Sequence, residues 1–177
     1  VQYADTGISL LPHNHWQTCY QLSFNLLHIK AEGEYLCGRP DESDLLYDEV
    51  LKYCHEDLLK AEICVTRLVE NIGRGRWDLG LKQGIQGLSY LGIKFSLDPS
   101  TIKTLLIQEQ ALFDKQTLHC PIDQIDQLPD MSDQRSLLAL NILVNLNACA
   151  FIRAQKEFLN LSILQGLNLI LSLGKSD

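Results

Sequence analysis

The sequence has little that favours β-structure. No stretch sustains an alternation of apolar and polar residues, and leucine outnumbers the β-branched residues. Apolar residues recur instead at spacings of three and four, which is the period of an amphipathic helix. The pattern therefore predicts an all-α fold.

A surplus of basic residues is also missing. The formal net charge is −7, and the densest basic cluster is the pair Arg74 and Arg76. Nucleic-acid-binding domains usually carry a basic patch or stripe. The charge balance therefore argues against a nucleic-acid partner.

No uncharged apolar run reaches the 18 to 20 residues that a membrane-spanning helix needs. The two nearest candidates are Leu137–Ile152 and Phe158–Leu173. Polar amides interrupt both of them, at Asn141, Asn145, Asn147, Asn160, Gln165 and Asn168. Both runs are predicted to be buried or partner-facing helices, with no membrane contact.

No secretory leader is visible in the sequence. The six cysteines mostly fall inside apolar helical stretches, which favours free, packed thiols over disulfides. A cytoplasmic protein is therefore expected. The chain begins at Val1 without methionine, and residues 3–11 resemble the end of a helix, which is typical of a segment of a longer protein.

Helix-start and helix-stop residues divide the remaining chain into seven predicted helices. Gly38 ends the first, Pro40 opens the second, and Asp57 is the expected N-cap of the third. The predicted helices are Trp16–Leu36, Pro40–Cys54, Asp57–Ile72, Trp77–Leu91, Thr101–Phe113, one from a cap at Ser132 or Asp133 to Phe151, and Gln155–Leu173. The predicted organisation is helix pairs over 1–113, an irregular connector over 114–131, and a C-terminal helix pair of the same solenoid over 132–177.

Two of the predicted turns align at an offset of 37 residues. In this alignment Gly38 matches Gly75, Pro40 matches Trp77, Ser43 matches Gly80, and Tyr47 matches Gly84. Repeats of 34 to about 45 residues that are built as helix pairs are typical of α-solenoids. The spacing therefore predicts an α-solenoid of antiparallel helix pairs of the tetratricopeptide type.

Small residues stand where the paired helices of such a repeat cross. Ala31 and Ser43 would allow a close approach in the first unit, with Tyr35 and Tyr47 filling the gaps. Gly80, Gly84 and Gly87 predict an unusually close helix contact, because glycine lowers helix propensity by about 1 kcal/mol relative to alanine and packing must compensate.

Three segments together resemble one protein family: "KAEGEYLCG", "DLLKAEICVTRLVENIGRGRWDLGLKQGIQGLSYLGI" and "LPDMSDQRSLLAL". The sequence is similar to the helical repeat region of large bacterial multidomain signalling proteins. In these proteins an AAA-like signal-transduction ATPase module precedes the region, often after a serine/threonine-kinase-like domain. A GAF domain with a histidine kinase or a diguanylate cyclase follows it. Arg39-Pro40 replaces a more usual Asn-Phe, and Gly80 replaces a more usual alanine.

The resemblance implies a non-catalytic, regulatory connector of a two-component or related signalling system, which couples the ATPase module to an output domain. Its partners would be neighbouring domains of the parent chain or another protein. A stand-alone tetratricopeptide adaptor, which binds a peptide or a partner helix, is the alternative. An enzyme is the third hypothesis, and it predicts a deep pocket with perturbed ionisable groups.

No motif in the sequence satisfies the requirements of a metal or phosphate site. His13, His15 and Cys19 lack a fourth ligand in the neighbouring sequence, so a solvated turn is predicted there. The ending Gly174-Lys175-Ser176 resembles a phosphate-binding loop, but Leu169 stands where the first glycine should be and a helix precedes it. Gly174 is therefore predicted to be a helix cap.

Nucleophilic catalysis requires a base and an orienting group beside the nucleophile. Cys54 and His55 are adjacent, and neighbouring residues on a helix point apart. His119-Cys120 lie in the irregular connector, where partial exposure would allow a reactive Cys120, but a functional thiol there is not the favoured interpretation. Asp123 and Asp126 are predicted to be solvated turn residues. We therefore predict no catalytic residue, no cofactor and no metal.

The remaining candidate is a binding surface on the first helix of each pair. Counting back from the two turn glycines places seven residues on the inner face: Asn25, His28, Glu32, Tyr35, Glu62, Val65 and Val69. The alternative is that these residues only pack against the next helix. Apolar surface on the last two helices is expected to be either a homodimer interface or the cut edge of a longer solenoid.

Overall fold

The computed structural model describes residues 1–118 and 120–175, apart from the side chains of residues 122 and 123. Within this part the chain is helical and forms no strand, and Asp130 and Lys175 make one isolated parallel bridge. The all-α prediction is confirmed. The α-helices are α1 (Gln2–Ser9), α2 (His15–Thr18), α3 (Tyr20–Leu36), α4 (Pro40–Tyr53), α5 (Asp57–Gly73), α6 (Trp77–Tyr90), α7 (Pro99–Thr117), α8 (Gln134–Ile152) and α9 (Lys156–Leu173).

The chain divides into two compact units, Val1–Ile63 and Cys64–Asp177. The core of the first unit lies between α3 and α4, where Ala31, Tyr47 and Val50 are fully buried. In the second unit α6, α8 and α9 supply most of the core, for example Leu88, Ile142, Leu146 and Leu161. The division predicted at residues 113 and 131 stays a prediction.

Three helix pairs are joined by short turns with the same backbone hydrogen bonds. The middle residue of each turn has a positive φ: 77° at Gly38, 68° at Gly75 and 52° at Ala154. The next amide donates to the carbonyl five residues earlier, from Arg39 to Glu34, from Arg76 to Asn71, and from Gln155 to Ala150, at 2.9, 2.8 and 2.9 Å. This is the Schellman arrangement, which satisfies carbonyls left free at a helix end.

The close contact predicted for the glycines of α6 is confirmed at Gly80 and Gly84. A Cβ atom on Gly80 would lie 3.3 Å from the Cys149 sulfur, and one on Gly84 would lie 2.5 Å from Cδ2 of Leu146. Both partner residues belong to α8 and are fully buried. Glycine therefore allows α6 and α8 to approach more closely than any larger residue would.

The prediction of one helix over Trp16–Leu36 is wrong, because the helix is interrupted at Cys19, whose φ of −137° is not helical. The hydroxyl of Ser23 donates to the carbonyls of Cys19 and His15, which offers the backbone an alternative to a continuous helix. The break accompanies stacking of Trp16 on Tyr53, with ring centroids 4.7 Å apart.

α7 is longer than predicted at both ends. It begins at Pro99, because the Asp98 carboxylate caps it by accepting from the Thr101 amide at 2.8 Å. It continues to Thr117, and its Gln116 side chain bonds Ser172 of α9. The expected N-cap of α5 is also off by one residue: Asp57 is already helical, and the Glu56 carbonyl accepts from the Lys60 amide at 3.0 Å.

The predicted irregular connector contains ordered backbone. Ile122–Gln127 forms a 3₁₀ helix. Beyond it, the Met131 amide donates to the Lys175 carbonyl at 2.7 Å, and the Lys175 amide donates to the Pro129 carbonyl at 2.9 Å. Gly174 caps α9 with a φ of 111°, as predicted. A Cβ atom on it would collide with the Pro129 carbonyl oxygen, so glycine is required here.

α8 is the exception to the expectation that no helix is long and apolar enough to cross a membrane. In the part of the chain that the structure describes, it alone meets that test of length and composition. Its inward-facing residues Ile142, Leu143 and Leu146 are buried in the core of the second unit. Core helices meet the same test, so α8 is weak support for a membrane segment.

Candidate functional site

The first four predicted binding residues all lie on α3 but differ in their surroundings. Asn25 is exposed, and its side-chain oxygen accepts from Gln21 at 3.0 Å. Glu32 is nearly half exposed, whereas Tyr35 is partly buried. Of the four predicted residues on α3, Asn25 and Glu32 are therefore the more open to a partner.

His28 is held within the pair of helices α3 and α4. Its ring makes edge contacts with Phe24 and with Tyr47 of α4, at centroid distances of 5.7 and 6.0 Å. Its Nε2 atom lies 3.6 Å from the Glu32 carboxylate and is buried. These contacts agree with the alternative prediction, in which His28 only packs against the next helix.

The other three predicted binding residues lie on α5. Glu62, in the first unit, is partly buried. In the second unit Val65 is partly buried against the core, whereas Val69 is 48% exposed. A binding role for these residues stays a prediction. Of the two valines in the second unit, Val69 is the more accessible to a partner.

The residues tested for metal binding and catalysis are also placed. Among the described residues no group of three or more His, Cys, Asp and Glu side chains is arranged to hold a metal ion. The His15 ring nitrogen Nδ1 bonds the Ser23 hydroxyl at 2.9 Å. His119 and the Asp123 side chain lie outside the described residues.

The six cysteines are free thiols, and Cys54, Cys64 and Cys149 are buried. Burial raises the pKa of the Cys64 thiol to about 12 and also raises the pKa of Cys149. A thiol must lose its proton to act as a nucleophile. Cys64 and Cys149 are therefore packing residues.

The second unit has exposed apolar residues on the last two helices, where the sequence led us to expect apolar surface, and also on α7. Ile163 of α9 lines two grooves: one of about 530 Å³ beside Ile107 of α7, and one of about 150 Å³ beside Val144 of α8. These three side chains are 72% (Ile107), 59% (Val144) and 41% (Ile163) exposed. We call this surface the α9 ridge. In the sequence, the expectation rested on the last two helices, where residues 136–152 and 158–174 carry no charge.

The sequence did not indicate a cavity of about 180 Å³ that lies between α7 and α9. Its polar lining includes Glu109 of α7 and Gln165 and Asn168 of α9. The two amides were noticed only as interruptions of an apolar run, because nothing in the sequence links them to a residue more than 50 positions away. We call this the Glu109 cavity.

Comparisons of the chain with protein families, with curated proteins and with solved structures found no match in any of the three.

Proposed function

We propose that this chain is a non-catalytic helical segment that mediates protein–protein contacts. The observation that carries the proposal is the α9 ridge, where exposed Ile107, Val144 and Ile163 flank two grooves. Contiguous exposed apolar surface is typical of interaction sites. The long uncharged runs within α8 and α9 gain stability when a partner removes that surface from water.

We further propose that the helix pairs are repeats of an α-solenoid of the tetratricopeptide type. The three turns centred on Gly38, Gly75 and Ala154 support this, because they share a left-handed residue and the same hydrogen bonds. In a solenoid each repeat contacts its neighbours through apolar helix faces. The α9 ridge has the character of such a face.

The resemblance to bacterial signalling proteins extends the proposal to a role. The segment would lie in the cytoplasm and couple an ATPase module to an output domain by rigid helix packing. The partner of the α9 ridge would then be a neighbouring domain of the same parent chain. Association with a second copy is the other outcome of the test below.

Photo-crosslinking in the intact parent protein tests this function. Benzoylphenylalanine at Ile163 or Val144 should cross-link to a neighbouring domain, identified by mass spectrometry. The same probe at Gln108, an exposed polar position of α7, serves as the control. Ile163→Lys should weaken the association while Gln108→Lys should not. Cross-linking at Ile163 no stronger than at Gln108 would refute the proposal.

The stand-alone adaptor is the second candidate, and the exposure of Asn25 and Glu32 favours it. It predicts cross-links from α3 to a separate protein or peptide, and loss of that partner in Asn25→Ala or Glu32→Ala. Ile163→Lys would leave this association intact. The two sets of variants therefore separate the candidates.

A further inference from the structure

Glu109 is a carboxylate fixed in place by neutral groups. Its Oε1 atom accepts from the Gln165 amide at 3.1 Å, and its Oε2 atom accepts from the Asn168 amide at 2.7 Å. Gln165 and Asn168 are 6% and 4% exposed, so they hold the carboxylate firmly. The ion pairs shown for the described residues do not include Glu109. The hydrogen bonds that hold its carboxylate come from neutral amides.

The direction of these hydrogen bonds fixes the amide orientation. Each NH₂ group faces a carboxylate oxygen, since the reverse orientation would bring two acceptors together. The amide oxygens of Gln165 and Asn168 are buried and have no donor in the described part of the chain. Glu109 is therefore the charged group in the lining of the cavity.

The lining of the Glu109 cavity also has an apolar part, formed by Ile93, Leu112 and Leu169. Ile93 and Leu169 pack against the core, whereas Leu112 is 42% exposed and Ser172 is exposed. The volume of about 180 Å³ is about six times the ~30 Å³ that one water occupies in the liquid. A ligand that fills it carries an apolar portion as well as a charge.

We propose that the Glu109 cavity binds a small organic ammonium group on a short alkyl chain. The ammonium would pair with the Glu109 carboxylate, and the alkyl chain would lie against Ile93, Leu112 and Leu169. A charge-assisted hydrogen bond to a positioned carboxylate is among the stronger polar contacts. An apolar pocket with few polar groups that fix orientation is the usual form of a ligand site.

The test is a titration followed by NMR with three probes of similar size and different charge. Butylammonium should give saturable shifts centred on the residues lining the cavity, whereas butyrate and butanol should give none. The variant Glu109→Gln should weaken binding at least about tenfold, which corresponds to about 1.4 kcal/mol. Asp114→Asn removes the same charge from an exposed position of α7 and should leave binding unchanged.

A second variant keeps the test decisive if Glu109→Gln perturbs folding. Leu112→Trp leaves the carboxylate intact but places a larger side chain in the lining of the cavity, and it should abolish the butylammonium shifts. Tighter binding of Nα-acetyl-lysine amide than of butylammonium would assign the ammonium to a lysine side chain, and the reverse would assign it to a free amine. Equal binding of all three probes, or Ca²⁺ producing the same shifts, would overturn the proposal.

Discussion

Gly84 of α6 faces Leu146 of α8 so closely that a Cβ atom on the glycine would lie 2.5 Å from Cδ2 of the leucine and 2.9 Å from its Cγ. Leu146 is fully buried in the core of the second unit. The packing of α6 on α8 therefore depends on the absence of one methyl group.

Gly84→Ala should destabilise the protein by about 1–3 kcal/mol, because overpacking outweighs the gain in helix propensity. Gly80→Ala is the matched control on the same helix, since its Cβ atom would meet Cys149 at 3.3 Å, and it should cost clearly less. Urea unfolding measures both. The double variant Gly84→Ala/Leu146→Ala should lose less than the sum of its single variants, since the methyl group then has room. Equal stabilisation by both alanines would contradict this packing.

Ala154→Gly should stabilise the protein by about 1 kcal/mol. Ala154 occupies the left-handed position that Gly38 and Gly75 occupy in the other turns, and a side chain there costs about 1–2 kcal/mol. Part of the gain is lost to the greater freedom of glycine in the unfolded chain. Thermal unfolding measures the change.

The reverse substitution, Gly75→Ala, is its control. A Cβ atom on Gly75 would meet nothing within 4 Å, so only the backbone conformation opposes it. It should lower stability by a similar amount. A loss of stability in Ala154→Gly would show that the turn does not favour glycine.

Stability should depend on pH through Asp98. Hydrogen bonds from Ser100 and Thr101 lower the pKa of its carboxyl from 3.8 to about 2 in the folded state. The pKa of Asp98 is lower in the folded state than in the unfolded state. The stabilisation by the charged carboxylate is therefore complete above the unfolded pKa, and it is lost as the pH falls through the folded pKa. Asp98→Asn keeps an acceptor at the cap but removes the charge. The stability difference between wild type and Asp98→Asn should therefore shrink between about pH 5 and pH 2. A difference that stays constant over this range would contradict the assignment.

Ser162→Ala should cost about 1 kcal/mol. Its hydroxyl donates to the Leu143 carbonyl at 2.9 Å and joins α9 to α8 in a fully buried position. Ser89→Ala is the control, because the Ser89 hydroxyl donates to the Gln86 carbonyl at an exposed position. That change should stay within about 0.5 kcal/mol. Equal losses of stability for the two variants in urea unfolding would show that burial does not determine how much the hydrogen bond stabilises the protein.

Much of the helical structure follows from local features of the sequence. Gly38 and Gly75 end helices because glycine adopts the left-handed conformation without a steric cost, and Pro40 opens a helix where no amide hydrogen is needed. The Asp133 cap was predictable for the same reason: its carboxylate accepts from the Ser136 amide three residues later. Such interactions span only a few residues, so the order of residues alone reveals them.

The sequence-based predictions failed where contacts between residues far apart in the sequence determine the local structure. The break at Cys19 accompanies the stacking of Trp16 on Tyr53, which lies 37 positions further along the chain. The Pro129 segment is ordered by Lys175, and the sequence gives no sign of that pairing. A turn between Phe151 and Gln155 was predicted, but the left-handed conformation of Ala154 was not, because residues other than glycine rarely adopt it.

The sequence by itself determined that the chain is helical and where most of its turns lie, because helix period, capping and glycine conformation are local properties. Only the tertiary structure decided which polar residues meet. It brings Glu109 to Gln165 and Asn168, and it leaves Ile163 exposed on the helix that also carries buried Leu161 and Gln165. Both of these depend on how α7, α8 and α9 pack, and packing is a property of helix faces in contact.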